Sequence, residues 1–115
     1  MLGARVEGIV VLADPLTYVR RNQIVDFAKS HRLPGVYPAR ELVELGGLIS
    51  YGANLRDYWR RAAVYVDKIF KGTQPVDLPV EQPTRFELTI NLKTAKTLGL
   101  TIPPTILAGA DEIIE

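Results

Sequence analysis

Apolar positions along this chain follow two rhythms. From Leu55 to Phe70 they fall at Leu55, Tyr58, Trp59, Ala62, Val66, Ile69 and Phe70. That is the i, i+3, i+4, i+7 spacing of one helical face. Arg56, Asp57, Arg60, Arg61, Asp67, Lys68 and Lys71 take the opposite side. Asn54 is placed to cap this helix, with Asp57 completing a capping-box-like pair. Lys68 and Lys71 suit the negative end of the helix dipole, and Gly72 can supply a left-handed stop. Ile9 to Ala13 is different: a continuous apolar, β-branched-rich run, the pattern of a strand buried on both faces of a parallel sheet. Thr84 to Ile90 alternates Phe86, Leu88 and Ile90 with Arg85, Glu87 and Thr89, the two-residue period of a strand with one wet face.

Between these stretches the punctuation is readable. Asp14 can cap a helix over residues 16–32 with Pro15 in its first turn, turning Ile24, Phe27 and Ala28 inward. Leu33-Pro34 ends it. Gly35-Val36-Tyr37 predicts a short second strand stopped by Pro38. Ala39 to Leu45 predicts about two turns of helix, closed by Gly46-Gly47, before a third strand at Leu48-Ile49-Ser50-Tyr51. Strand, helix, strand, helix, strand is the grammar of a parallel α/β sheet with right-handed crossovers. Residues 73–83, TQPVDLPVEQP, hold three prolines in eleven positions and predict an extended connection. Asn91 caps a last clear helix with Leu92, Ala95 and Leu98 inward, ended by Gly99. Pro103-Pro104 forbids its continuation, and the tail from Thr105 reads as a short helix or strand.

Composition narrows the function classes. One domain is the default for 115 residues, and a net charge of +1 gives no broad electrostatic case for nucleic acid. The absence of cysteine excludes disulfides and thiolate chemistry, and a single histidine, His31, excludes a multi-histidine metal site. The opening MLGARVEGIVVLADP is interrupted by Arg5, Glu7 and Asp14, is too short to span a bilayer, and has no secretory cleavage pattern, so it reads as carrying no export address.

In open parallel sheets, ligands sit beyond the carboxyl ends of the strands. Three such ends supply candidates: Asp14 and Pro15; Arg40 and Glu41; Ser50, Tyr51 and Gly52. They would bring a carboxylate, an Arg/Glu pair, a hydroxyl, a phenol and exposed backbone to one edge, suited to a small polar solute. Plainer roles compete. Asp14 can be only a cap, Arg40 and Glu41 a solvated pair, Ser50 a backbone partner, Tyr51 packing, and Gly52 a means of chain exit. Trp59 reads as core, His31 as a complement to a helix C-terminus, and Arg56, Arg60 and Arg61 as a solvated face. No phosphate loop, GxSxG or HExxH is present, and the carboxylates form no acid/base pair in sequence. A catalytic or cofactor-dependent reading is therefore not favoured.

The segments GGLISYG, RRAAVYVDKIFKG, LPVEQPTRFEL and NLKTAKTLGLTIPP, in this order, resemble the C-terminal part of substrate-binding proteins of ABC importers. The group is the tryptophan/tyrosine-type or uncharacterised one with the type I periplasmic-binding-protein fold. The resemblance implies an α/β, parallel-sheet βαβ fragment of that fold. It implies a periplasmic or extracytoplasmic parent that closes two hinged lobes on a small organic solute such as an amino acid, and serves an ABC permease without chemistry or cofactor. Residues 1–53 would be a second-lobe βαβαβ segment ending at an interlobe crossover. Residues 54–115 would supply the amphipathic helix, the Pro-rich connection and the closing strand and helix. Of aromatic residues for stacking, only Tyr37 and Tyr51 are expected near the predicted edge. Family members are longer, with an export signal and a complete first lobe, so this chain is expected to be a fragment with weak or no solute affinity. Its long helix, built to pack on that lobe, would leave Trp59, Val66 and Phe70 seeking a partner, which predicts a homodimer or swapped assembly. The alternatives are a stand-alone oligomeric interaction module derived from the fold and, less favoured, a small α/β enzyme.

Overall fold

The computed structural model describes residues 5–115; residues 1–4 of the expected first segment lie outside that range. The elements run β1 (Ile9–Val10), α1 (Pro15–Val19), α2 (Arg21–Ser30), β2 (Gly35–Tyr37), α3 (Arg40–Glu44), β3 (Ile49–Ala53), α4 (Leu55–Phe70), β4 (Phe86–Asn91), α5 (Leu92–Leu98), α6 (Pro104–Ala108) and β5 (Glu112–Ile114). The five strands form one sheet in the order β1-β2-β3-β4-β5. The first three are parallel, as the βαβαβ grammar predicts. β4 returns antiparallel to β3, from Ile49 opposite Ile90 to Ala53 opposite Phe86, and β5 lies parallel to β4.

Local chemistry explains most boundaries. Asp14 Oδ1 accepts the Leu16 N–H at 2.8 Å and starts α1 with Pro15 in its first turn. The single helix expected over 16–32 is interrupted at Arg20, where the backbone leaves helical geometry (φ −91°, ψ 15°) and the Arg21 guanidinium donates to the Tyr18 carbonyl at 2.9 Å. α2 then ends in a Schellman arrangement: Leu33 N–H reaches Ala28 O, and Arg32 takes the left-handed position at φ 52°. His31 holds Phe27 O through Nδ1 at 2.9 Å, in keeping with a helix-end role. Gly72 at φ 107° and Gly99 at φ 73° end α4 and α5 as expected. Asn54 Oδ1 caps α4 by accepting from Arg56 N at 2.9 Å, but the expected capping box does not form, because the Asp57 carboxylate pairs with Arg60 instead.

The buried cluster is Val25, Tyr37, Ala39, Leu42 and Val43, with Val11, Ile24, Leu55 and Ile114 packed against it. Val25, which the sequence pattern did not assign inward, is buried on α2 with Ala28, while Phe27 is half-buried. β1 departs from the expected strand buried on both faces. Val11 faces the core, but Val10 and Leu12 are 72% and 75% exposed. β1 is an edge strand whose one described ladder is to β2, and no described element covers the face that carries Val10 and Leu12. The wet face expected of β4 also fails at Thr89, which is buried because α3 closes over β3 and β4 there.

No residue of the 16-residue α4 is buried, and the helix stands away from the sheet. The radius of gyration is 17.5 Å and the extents are 56 × 32 × 19 Å. A compact chain of this length would have a radius near about 13 Å. Trp59, expected as core, is 75% exposed, because α4 packs against no second layer. The Pro-rich return runs along α4: Tyr65 Oη donates to Pro79 O at 2.5 Å, and Arg61 pairs with Glu81. α4 and residues 73–85 thus form an arm joined to the sheet through β3 and β4.

The Arg61 hydrogen bond holds the Glu81 carboxyl below the ordinary carboxylate range. A carboxylate depressed in the folded state supports the fold above its unfolded pKa and loses that support as pH falls through the folded value. A carbon-detected titration of Glu81 should therefore show a midpoint below 4.5, returning toward 4.5 in Arg61→Gln. An unshifted midpoint in the wild type would show that the return is not tied to α4 by this pair.

Candidate functional site

The carboxyl ends of β1 and β2 face the first half of α4 across a groove of about 720 Å³. Asp14 and Pro15 lie on one side, Pro38 and Ala39 on the floor, and Tyr18, Tyr58 and Trp59 add aromatic surface. The Asp14 carboxylate is oriented by its capping bond to Leu16, so the structural reading of this residue holds whatever else it does. The groove surface is mainly apolar, with Asp14 as its one acidic side chain.

A second, smaller cavity of about 40 Å³ lies beside it, under the first turn of α3. Arg40, Glu41, Ser50 and Gly52 line it, together with Asn54, Arg56, Glu87 and Thr89. Leu55 borders both spaces. Six of the seven candidate residues therefore reach two adjoining cavities, two in the groove and four in the smaller one. Tyr51 does not. Strand alternation turns it to the face opposite Ser50, where it is 60% exposed and stacks on Phe86 at 5.6 Å. Tyr37, expected near the edge as stacking surface, is instead buried beneath the sheet's end against Gly35 and Gly47, and burial raises its phenol pKa.

Arg40 is already engaged. Its Nε donates to Glu44 at 2.7 Å, and Nη1 lies 2.5 Å from Glu112. The Glu44 hydrogen bond is the first cause of its raised pKa. That leaves Arg40 as a tie between α3 and β5 more than a free anion receptor. Gly52 passes so close to β2 that an added Cβ would stand 2.0 Å from Pro38 O. Beyond it the two chain crossings into the arm are bridged, as Asn54 Nδ2 donates to Glu87 Oε1 at 2.8 Å.

Sequence reasoning missed Tyr18, Tyr58, Trp59 and Thr89. The signal for Tyr58 and Trp59 was present: both fall in the first turns of a helix that begins one residue after a strand end. Among the described residues there is no cluster of acidic or histidine side chains suited to a metal ion, and no helix is long and apolar enough to cross a membrane.

The model of the family described as ABC transporter substrate binding protein matches residues 1–114. Among solved structures, a conserved domain protein from Vibrio cholerae O1 biovar El Tor superposes with a TM-score of 0.88 at 28% identity, over 97% of this chain and 38% of that one. An ABC domain from Streptococcus pneumoniae, solved in complex with L-Trp, gives a TM-score of 0.88 at 29% identity over 98% of this chain and 39% of that one. A ligand-free, open substrate binding protein with adhesive properties from Clostridium difficile shares the fold, with a TM-score of 0.60 at 20% identity over 92% of this chain and 36% of that one. No curated protein matches. The chain thus spans under two fifths of the length of the structures it resembles.

Proposed function

The chain belongs to the family of ABC transporter substrate binding proteins, and we propose that it supplies one wall of an interlobe solute cleft together with the crossover on which that cleft closes. The observation that supports this most is the groove between the strand ends and α4, with a carboxylate and three aromatic side chains around it. In this reading residues up to 53 belong to a second lobe. α4 and its return belong with the other lobe, and bending occurs where Ala53–Asn54 and Arg85–Phe86 cross side by side. Closure buries a small organic solute and pairs its polar groups, with no bond made or broken. A permease of an ABC importer then receives the solute outside the cytoplasmic membrane.

The aromatic surface of Tyr18, Tyr58 and Trp59 favours a solute with a flat apolar body, and an aromatic amino acid fits. The homologue from Streptococcus pneumoniae was solved with L-Trp. Asp14 would face a cationic group of the solute, and Glu41, Ser50 and Gly52 would line the neighbouring polar end. One wall alone buries too little of a solute, so the 115-residue chain is expected to bind more weakly than about 1 mM.

Trp59 is the sole tryptophan of these 115 residues. In a longer parent with any other tryptophan replaced by phenylalanine, so that Trp59 is the reporter, L-Phe or L-Tyr should shift its emission to the blue and saturate at micromolar concentration or below, about −8 kcal/mol or tighter. Asp14→Asn should weaken that binding roughly tenfold or more, as a charge-assisted contact is lost. A parent that shows neither an emission change nor calorimetric heat with a panel of amino acids would sink the amino-acid reading. A second reading, an oligomeric interaction module without a solute role, draws on the exposed apolar face of α4.

A further inference from the structure

We infer that the small cavity under α3 is a hydrated site, whose water hydrogen-bonds to Thr89 Oγ1 at the crossover. Thr89 lies on β4 directly opposite Ser50 on β3, and the two residues are 1% and 2% exposed. Thr89 Oγ1 has no hydrogen-bond partner in the protein, the one such buried side-chain atom among the described residues. A buried hydroxyl left unpaired is costly, and native interiors satisfy nearly all such groups with protein or ordered water.

Size and chemistry select the occupant. The cavity measures about 40 Å³, and one water requires about 10–15 Å³ by the same measure and two to four polar partners. There is room for a water or a short chain of them, and Thr89, Ser50, Glu41 and Glu87 supply oxygens around it. The body of an organic solute is too large for this space and has the groove of about 720 Å³ beside it, so at most a polar end of the solute meets the cavity. The lining sets Arg40 and Arg56 against Glu41 and Glu87, so it carries no net charge to hold a bare ion.

Position gives the site its interest. The same cavity is bordered by Gly52, Ala53 and Asn54, where β3 leaves the sheet for the arm. Water, rather than a fixed side-chain contact, then joins the Thr89 hydroxyl to this crossing. A bridging water can follow a small shift of the joint and keep the buried hydroxyl hydrogen-bonded. This goes beyond the solute reading and does not depend on it.

The test uses Thr89→Val, which keeps the shape and removes the hydroxyl. In the hydrated cavity it strands a water and should raise the unfolding equilibrium constant about tenfold, as expected for a lost buried hydrogen bond. Thr89→Ser should restore most of it. Water-to-Thr89 cross-relaxation by NMR should show a long-lived water in the wild type and in Thr89→Ser, and lose it in Thr89→Val. Unchanged or increased stability of Thr89→Val, or no long-lived water in the wild type, would overturn the inference. So would a stability that rises with sodium or potassium at constant ionic strength, since an ion would then be the occupant.

Discussion

Replacing Gly52 with alanine is expected to destabilise the fold by about 3 kcal/mol, the upper part of the range for forcing a methyl into a packed site. The cost is steric and not conformational. Gly52 does not adopt a positive φ, so its backbone would accept any residue. The added Cβ would stand 2.0 Å from Pro38 O and 3.0 Å from Pro38 C, and both are backbone atoms that no rotamer change can move. β2 and β3 must separate at the point where the groove and the crossover meet. Gly72→Ala makes the useful comparison. Gly72 sits at φ 107° with nothing within 4 Å of an added Cβ, so only the backbone penalty of about 1–2 kcal/mol applies. Urea denaturation of the two variants should rank Gly52→Ala as the more severe. If the proposed solute cleft exists in a longer parent, Gly52→Ala should also weaken solute binding there, which Gly72→Ala should leave alone. A Gly52→Ala variant as stable as Gly72→Ala would mean that Pro38 is not held against β3 in solution.

What the chain announces in its sequence is what short-range chemistry decides. Asp14-Pro15, Asn54, Asn91, Gly72 and Gly99 each cap or stop a helix through groups within a few residues, and each does so in the structure. The parallel order of β1, β2 and β3 follows from helices that alternate with strands. Two failures are local, the break at Arg20 beside the Arg21–Tyr18 contact and the capping box lost to the Asp57–Arg60 pair; the others depend on what lies farther along the chain or across a layer. The run at Ile9–Ala13 has the composition of a central strand, but its place at the sheet edge leaves Val10 and Leu12 uncovered. The apolar face of α4 was legible, while its isolation was not, because periodicity shows which side of a helix is apolar and not what meets it. Trp59 was therefore assigned to a core instead of a groove wall. Thr89 looked like the wet side of an alternating strand, and only the closure of α3 over β4 makes it a buried hydroxyl. Of the candidate site, Asp14, Pro15, Arg40, Glu41, Ser50 and Gly52 could be gathered by the rule of strand ends. Tyr51 could not be excluded without knowing which face β3 turns to the cavities.

The 115-residue chain should associate through α4, and two lysines should abolish the association. Trp59 and Phe70 are 75% and 86% exposed on the arm, with Val66 at 48% beside them. Val76 and Val80, on the return, are 89% and 98% exposed. Burying large side chains of this kind is worth about 1.5–3 kcal/mol each, against a cost of association of about 4–15 kcal/mol. Three to five such residues on each of the two copies leave a surplus, so a dissociation constant in the micromolar range is expected. A two-fold helix pair is the simplest geometry, because one self-complementary face serves both copies. Sedimentation equilibrium at tens of micromolar should then show dimer, and Val66→Lys with Phe70→Lys should return the monomer. A wild-type chain that stays monomeric at that concentration, with Trp59 emission still that of an exposed indole, would rule the association out. The same double variant in a longer parent separates the two functional readings. If a first lobe covers α4 there, Val66→Lys with Phe70→Lys should lower the parent's stability by several kcal/mol and leave it monomeric, since a packed apolar contact is lost within one chain. If α4 is instead an interaction face in its own right, the parent should be oligomeric, lose that state in the variant, and unfold at nearly the same denaturant concentration.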